Sequence, residues 1–534
     1  MNIAMSVKTG PRSALRGLIV LAAAGMLWPA LVAAQDAEER IRLLEEQLRT
    51  MTRELQTIKQ ELDAAKAAAP TQDAAEVQRT KAQAAGAAAA AGEAREKATA
   101  LEQRLDTTGL FRPADGIGLQ DTRGRWALRL NGRVQLDYRS FDEDIVSDTF
   151  SIRRARLGAT VTYLQDYLFR VEGEYASGNA STGTHNTTAT HVYLQLGWLR
   201  PWALIRLGQS KPQFGLENTE SANFSDFQER GLTQSLIQNL NYDRGVMIDG
   251  TPFTGFNYGL SFTNGTGLNA DERQGNAQDI DADGMMLTAR ATENFAELLG
   301  RPGMVLHLGA NYKSGKATNS ATSPFAAATG QTEARGVTFF TPQAFNSATG
   351  TASNVDRELW AYELALAYGP VKLQSEYWTA NYQGTRQVPA PVTAFDLDID
   401  SYYVNLMWMI TGEAYGESYK DGQFGRIRPR NNFSWRDRTW GGWELGLRYS
   451  EFDASDFALS GSSQPGRLAA TQTAPVTVGT NKAQAYTLGL KWLPNAYTRF
   501  MLNYVHTDFD TPIVAGDVTT DEEHAITLRG QIDF

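Results

Sequence analysis

The chain has 534 residues, a formal net charge of −10 and no cysteine. Disulfides and thiolate metal sites are excluded, and the acidic balance argues against a general nucleic-acid binder. No internal stretch approaches the roughly 20 apolar residues of a membrane-spanning helix, but barrel strands need only alternate residues to be apolar, so a membrane barrel stays open.

The first residues read as an export signal. Lys8, Arg12 and Arg16 precede GLIVLAAAGMLWPALVAA, and Val32-Ala33-Ala34 offers a small-residue cleavage site before Gln35. Residues 1–34 are expected to be a signal peptide, with an uncleaved anchor as the alternative. Export leaves the protein in the periplasm, in the outer membrane or outside.

Residues 35–108 are expected to form a periplasmic α-helical coiled coil followed by an Ala-rich helical segment. Ile41, Leu44, Leu48, Met51, Leu55, Ile58 and Leu62 recur in steps of three and four, a heptad seam. Ile and Leu at both core positions are compatible with three strands. Pro70 interrupts the seam, and a lone solvated helix or a spacer is the competing reading.

From residue 109 to 534 the texture is that of strands. In WALRLNGRVQLDY, residues 126 to 138, Leu128, Leu130, Val134 and Leu136 take one parity and Arg129, Arg133, Gln135 and Asp137 the other. RRARLGATVTY, FRVEGEY, HVYLQLGW, AYTLGLKW and the terminal ITLRGQIDF repeat the alternation. Charged side chains against a dry core cost several kcal/mol each unless paired. A barrel with lipid outside and water inside accounts for them directly, with a soluble sandwich as the competitor. Strands of roughly nine to eleven residues, with Tyr and Trp at their ends, suit a bilayer crossing. About 410 residues, at roughly 25 per strand and connection, give about 16 strands. The expected fold is all-β: a 16-stranded antiparallel transmembrane β-barrel of the bacterial outer membrane, in contact with its lipid, behind an N-terminal coiled coil.

Longer motifs carry a family resemblance. LGQSKPQFGLENTESANFSDFQERGL (residues 207–232), NYDRGVMIDG, ELALAYGPVKLQSEYW, TGEAYGESYKDGQFGRIRP, WGGWELGLRYSEFD and YTLGLKWLPNAYTRFMLNYVH follow one another in order. This chain resembles the phosphate-selective porin O and P family over nearly all of residues 125–534. The resemblance implies a homotrimer of 16-stranded barrels, each with a pore narrowed by an inward-folded third loop. It implies passive diffusion of small anions, with phosphate the default candidate, no cofactor and no catalysis.

By that resemblance Asn131-Gly132-Arg133 matches the family's GGR, Ile152-Arg153-Arg154-Ala155 its phenylalanine-Arg-Arg-Ala motif, and Glu229-Arg230 the Glu-Arg pair closing the third loop. Arg133, Arg154 and Arg230 then resemble members of an arginine ladder and constriction. Alternation independently turns Arg133, Arg154 and Arg156 inward, and leaves Arg153 out of phase. Lys211 is a further candidate for the anion path. Residues 109–534 hold 29 Arg against 7 Lys, and a permanent charge with a planar donor fork suits oxyanions. The competing reading is that these groups pair with Asp137, Glu172 and Glu174 and brace the wall.

Two features depart from the family pattern. Asn218 stands where phosphate-specialised members carry a lysine, and residues 316–356 contain only Lys316 and Arg335 as basic side chains. With 46 acidic against 36 basic residues in 109–534, long-range anion steering is weakened. A less selective general porin, or a tether between outer membrane and cell wall through the coiled coil, remain alternatives. Asp279, Asp281 and Asp283 before Gly284 mimic the start of a calcium loop, but Arg290 stands where its bidentate Glu belongs. Asp396, Asp398 and Asp400 share one parity and would form a carboxylate rung. No zinc spacing, Walker loop, nucleophile elbow or dinucleotide fingerprint is present.

Overall fold

The computed structural model describes residues 85, 86, 92, 111–113 and 117–534, except 122–123, 143–144, 177, 180–183, 186, 266, 269–284, 320–327, 343–352, 387–392 and 458–475. The expected signal peptide, nearly all of the expected coiled coil, and Asp279, Asp281 and Asp283 lie outside the described residues.

Sixteen long strands stand out among the described residues. The first eight are β1 (Trp126–Phe141), β2 (Thr149–Tyr163), β3 (Tyr167–Glu174), β4 (Thr188–Leu199), β5 (Ala203–Ser210), β6 (Asp243–Phe253), β7 (Phe256–Thr263) and β8 (Met286–Asn294). The second eight are β9 (Met304–Asn319), β10 (Ser353–Tyr368), β11 (Val371–Arg386), β12 (Thr393–Met409), β13 (Gly442–Asp453), β14 (Lys482–Asn495), β15 (Thr498–Ala515) and β16 (Val518–Asp533). All belong to one sheet. The last pairs antiparallel with the first, Ile532 opposite Val134, so the sheet closes into a barrel with no free edge.

Burial is inverted relative to a water-soluble protein. On β16, Ile526, Leu528 and Ile532 are about half exposed at 50%, 44% and 54%, whereas Thr527, Arg529, Gln531 and Asp533 are buried. On β1, Val134 and Leu136 face out while Gln135 and Asp137 face in. Apolar parity therefore meets hydrocarbon and polar parity lines the interior. The seam is tight. Gly132 exchanges backbone hydrogen bonds with Phe534 at 3.0 Å each way. A Cβ on Gly132 would sit 2.5 Å from the Phe534 ring, so a larger residue there must displace the terminal ring.

Several strands are longer than the expected nine to eleven residues: β9, β10 and β11 have 16 each, β12 has 17 and β15 has 18. They continue past the bilayer, where the outer face meets water and polarity reverses. Phe395, Leu397 and Ile399 on β12 are buried inside while Asp396 and Asp398 are exposed outside. The expected rung therefore points away from the lumen, with Asn381 donating to both carboxylates at 2.7 Å.

Short turns such as 254–255 and 369–370 alternate with long loops, the usual asymmetry between periplasmic and extracellular ends. Three connections fold inward. Residues 211–242, the third loop, carry a short helix (Leu216–Thr219) and a 3-10 segment (Leu232–Leu240). A hairpin pairing Gly330–Gln331 with Thr338–Phe340 enters from the extracellular side and buries Phe339 and Phe340 against Phe452 and Phe457. From the periplasmic side, Tyr415 and Phe424 of the β12–β13 connection pack with Leu216 and Phe227 of the third loop.

Candidate functional site

The third loop turns inward at Gly215, whose φ is 71° and whose Cβ position is filled by the Trp378 ring and the Glu376 carboxylate. Glu376 on β11 then accepts from the backbone N–H groups of Leu216 at 2.5 Å and Glu217 at 2.9 Å. The middle of the loop is held on β11 again and on two further strands, β13 and β16. Lys372 Nζ meets Asp226 at 2.6 Å, Arg448 meets Glu217 at 2.5 Å, and Arg529 meets Glu229 at 2.8 Å. Against β1, Gln135 donates to the Ala222 carbonyl at 3.1 Å and Arg133 to Asn223 Oδ1 at 2.8 Å. Charge-assisted contacts on several strands fix the loop across the lumen.

Beside it lies a cavity of about 820 Å³ between the loop and the β1–β4 wall. All six basic residues singled out by sequence, Arg133, Arg153, Arg154, Arg156, Lys211 and Arg230, line it, and Arg170 joins them. Arg154 donates to Gln135 Oε1 at 2.8 Å, and Arg230 to the carbonyls of Glu217 and Glu220 at 2.9 and 3.1 Å. Among the described residues neither forms an ion pair within 4.0 Å, nor does Lys211. Arg133 has only a loose approach to Glu172 at 3.9 Å.

The other three are neutralised locally. Arg156 meets Glu174 at 2.7 Å and Glu172 at 3.3 Å, Arg170 meets Glu172 at 2.7 Å, and Arg153 meets Glu229 at 2.7 Å. Of the carboxylates the bracing reading names, Glu172 and Glu174 pair with Arg156 and Glu172 with Arg170, Arg153 pairs instead with Glu229, and Arg154, Arg230 and Lys211 pair with none of them among the described residues.

Arg153 and Arg154, although adjacent, both line the cavity. Ile152 and Leu157 are both exposed on the outer face although they differ in parity. The alternation slips by one residue between them, in the manner of a bulge, and this brings Arg153 inward despite its phase. Arg335 was not legible as a site residue. It sits in a left-handed turn of the inward hairpin, φ 59°, and lines a neighbouring cavity of about 310 Å³ with Arg153, Arg154 and Arg230. Asn218 lies on the buried side of the loop helix, its Nδ2 donating to the Phe214 carbonyl at 3.1 Å.

Two loop groups register the local field. Burial lowers the pKa of Lys211, and the guanidinium groups of Arg230, Arg156, Arg133 and Arg154 lower it further, to well below the ordinary lysine value. Burial alone would raise the Glu229 carboxyl, but Arg153, Arg529, Arg154 and Arg335 outweigh it and hold it well below the usual carboxylate range. The Glu229 direction expresses an excess of positive charge, and that of Lys211 expresses burial first and the same charge second.

Residues 128–534 match the family described as phosphate-selective porin O and P. The chain belongs to the phosphate-selective porin O and P family. It is an outer-membrane porin. Porin O of Pseudomonas aeruginosa is 24% identical over 418 residues, covering 74% of this chain and 86% of that relative. Among solved structures, the outer-membrane channel DcaP of Acinetobacter baumannii is 13% identical with a TM-score of 0.44, covering 78% of this chain and 99% of that one. OmpT of Vibrio cholerae, described in a trimer form, is 10% identical with a TM-score of 0.44, covering 77% and 99%.

Proposed function

We propose that this porin conducts small oxyanions by passive diffusion, with phosphate the default candidate. The observation that carries the reading is the grouping of Arg154 from β2 with Arg230 and Lys211 from the third loop around one cavity, with no carboxylate within ion-pair distance of them among the described residues. Fixed positive charge in a wet lumen attracts anions and repels cations, and guanidinium forks match the geometry of an oxyanion. Lys211 brings an amine to the cavity, whereas Asn218, at the family's lysine position, does not face it. The family description, phosphate-selective, points the same way.

A broader, less selective pore is the second reading, favoured by the acidic excess of residues 109–534, 46 against 36. Purified protein in planar bilayers separates the two. In a salt gradient the first reading requires an anion-selective reversal potential and a chloride current blocked by added phosphate. A reversal potential near zero supports the second, and a cation-selective sign rejects both.

Assembly as a homotrimer is part of the proposal. Strands β3, β5 and β7 have eight residues each, about 26 Å of extended chain before tilt. This low sector of the wall falls short of the apolar thickness of the membrane and calls for cover by a second copy. Cross-linking in native membranes, read as a trimer or as monomer only, decides it.

A further inference from the structure

On β15 and β16, His506 lies directly opposite His524, and Asp508 directly opposite Glu522. Their neighbours Val505, Thr507, Glu523 and Ala525 are buried on the lumen side, so these four side chains stand on the outer wall, away from the pore. They sit just beyond Tyr504, whose hydroxyl lies 2.8 Å from His524 Nδ1, and farther along the strands than the exposed Leu502 and Ile526. That is the level of the lipid headgroups, where tyrosines mark the edge of the hydrocarbon.

The two imidazoles stack with centroids 4.4 Å apart and planes at 18°, and their Nδ1 atoms are 3.1 Å apart. Facing nitrogens of two neutral rings hold at most one proton between them, and directly opposed carboxylates on paired strands repel. A divalent cation relieves both. One ligand atom from each of His506, Glu522 and His524 lies within 4.8 Å of the others. A tetrahedral zinc ion with bonds of about 2.0–2.2 Å needs ligand atoms roughly 3.3–3.5 Å apart, a small side-chain adjustment from this arrangement. Asp508 Oδ1 lies 3.0 Å from His506 Nε2. A proton held there leaves the Nδ1 lone pair of that ring facing its neighbour, as metal-binding histidines require.

We propose that His506, His524 and Glu522, oriented by Asp508, bind a divalent transition-metal ion of the zinc class at the outer rim of the barrel, clipping β15 to β16. Two imidazoles and a carboxylate select zinc, copper or nickel over magnesium and calcium. The test uses the full chain, purified without a polyhistidine tag, titrated calorimetrically with Zn2+ and, separately, with Mg2+. The expected result is one Zn2+ per chain and Mg2+ binding weaker by at least about tenfold. The double variant His506→Asn/His524→Asn should lose the site, and Glu522→Gln should weaken it by about tenfold. Unchanged heat-modifiability on gels shows that both variants fold, as expected for positions on the outer wall. Zn2+ bound equally tightly by the double variant, equal affinity for Mg2+, or no Zn2+ bound by the parent each overturns the proposal.

Discussion

Removing the Arg133 and Arg154 guanidinium groups together is the most direct perturbation of the anion path. An anion held in the cavity about 6 Å from each loses at least about 0.7 kcal/mol per charge at the dielectric constant of water, and about four times that at an effective value near 20. Two charges at the lower bound give about 1.4 kcal/mol, or roughly tenfold in anion occupancy. Among the described residues Arg154 bonds to the neutral Gln135 and forms no ion pair, and Arg133 stands 3.9 Å from Glu172, so little of either charge is already cancelled. Arg133 also holds Asn223 of the third loop, and losing that bond costs about 1 kcal/mol of loop anchoring. The double lysine variant therefore serves as the control that keeps charge while removing the planar forks. Reversal potentials in a tenfold potassium chloride gradient are the assay. The double alanine variant should move strongly toward zero or cation preference, and the double lysine variant should stay anion-selective but be blocked less well by phosphate. A double alanine barrel of parental heat stability and parental reversal potential would refute the assigned role.

Gly132→Val forces a Cβ to within 2.5 Å of Phe534 and 3.2 Å of the Arg156 carbonyl. It should cost about 1–3 kcal/mol, read as a lower urea midpoint for barrels in liposomes, and an unshifted midpoint means the seam does not need glycine. Glu376→Ala leaves the N–H groups of Leu216 and Glu217 without their acceptor, about 1–3 kcal/mol each. Single-channel traces should show a wider, noisier pore, and quiet parental traces would assign the latch elsewhere. Because the Lys211 pKa is lowered, the ammonium loses its proton below the ordinary lysine value as pH rises, and one positive charge leaves the wall. Anion preference should then fall, in the parent, at a pH below that at which an ordinary lysine titrates, and stay flat in Lys211→Met. The same slope in both would place the titration on another group.

The closed barrel was legible because alternation over β1, β2 and β16 reports a lipid-facing and a water-facing side, and nothing else places Arg529 and Ile532 so close in sequence on opposite faces. Alternation has no memory of the membrane, however. Above the bilayer the same period put Phe395, Leu397 and Ile399 inside, and the aspartates between them became outer-surface groups. A slip of one residue between Ile152 and Leu157 hid the inward course of Arg153 for the same reason: phase was carried across an irregular stretch. Arg335 was illegible in a stronger sense. Its place in the lumen is set by a hairpin whose partners, Ser450 and Thr487 on Glu333 and Phe452 on Phe339, are more than 100 residues away.

The acidic excess of the barrel and the basic cavity are reconciled by where each sign stands. Asp396, Asp398, Glu358, Asp510 and Glu522 are exposed on the outside of the barrel, whereas Arg154, Arg230 and Lys211 look into the lumen cavity. At about 0.01 M salt the Debye length is about 30 Å, long enough for the outer carboxylates to repel an approaching anion; at 1 M it is about 3 Å and they are silent beyond contact. Selection inside the cavity acts over a few ångströms and is less exposed to screening. Chloride conductance should therefore rise faster than in proportion to concentration as salt climbs from the low end, while the sign of the reversal potential stays fixed. Replacing Asp396 and Asp398 with Asn should flatten the low-salt curvature and leave the sign untouched. If those outer substitutions changed the sign instead, selection would belong to the outer surface and the guanidinium wall would be only scaffolding.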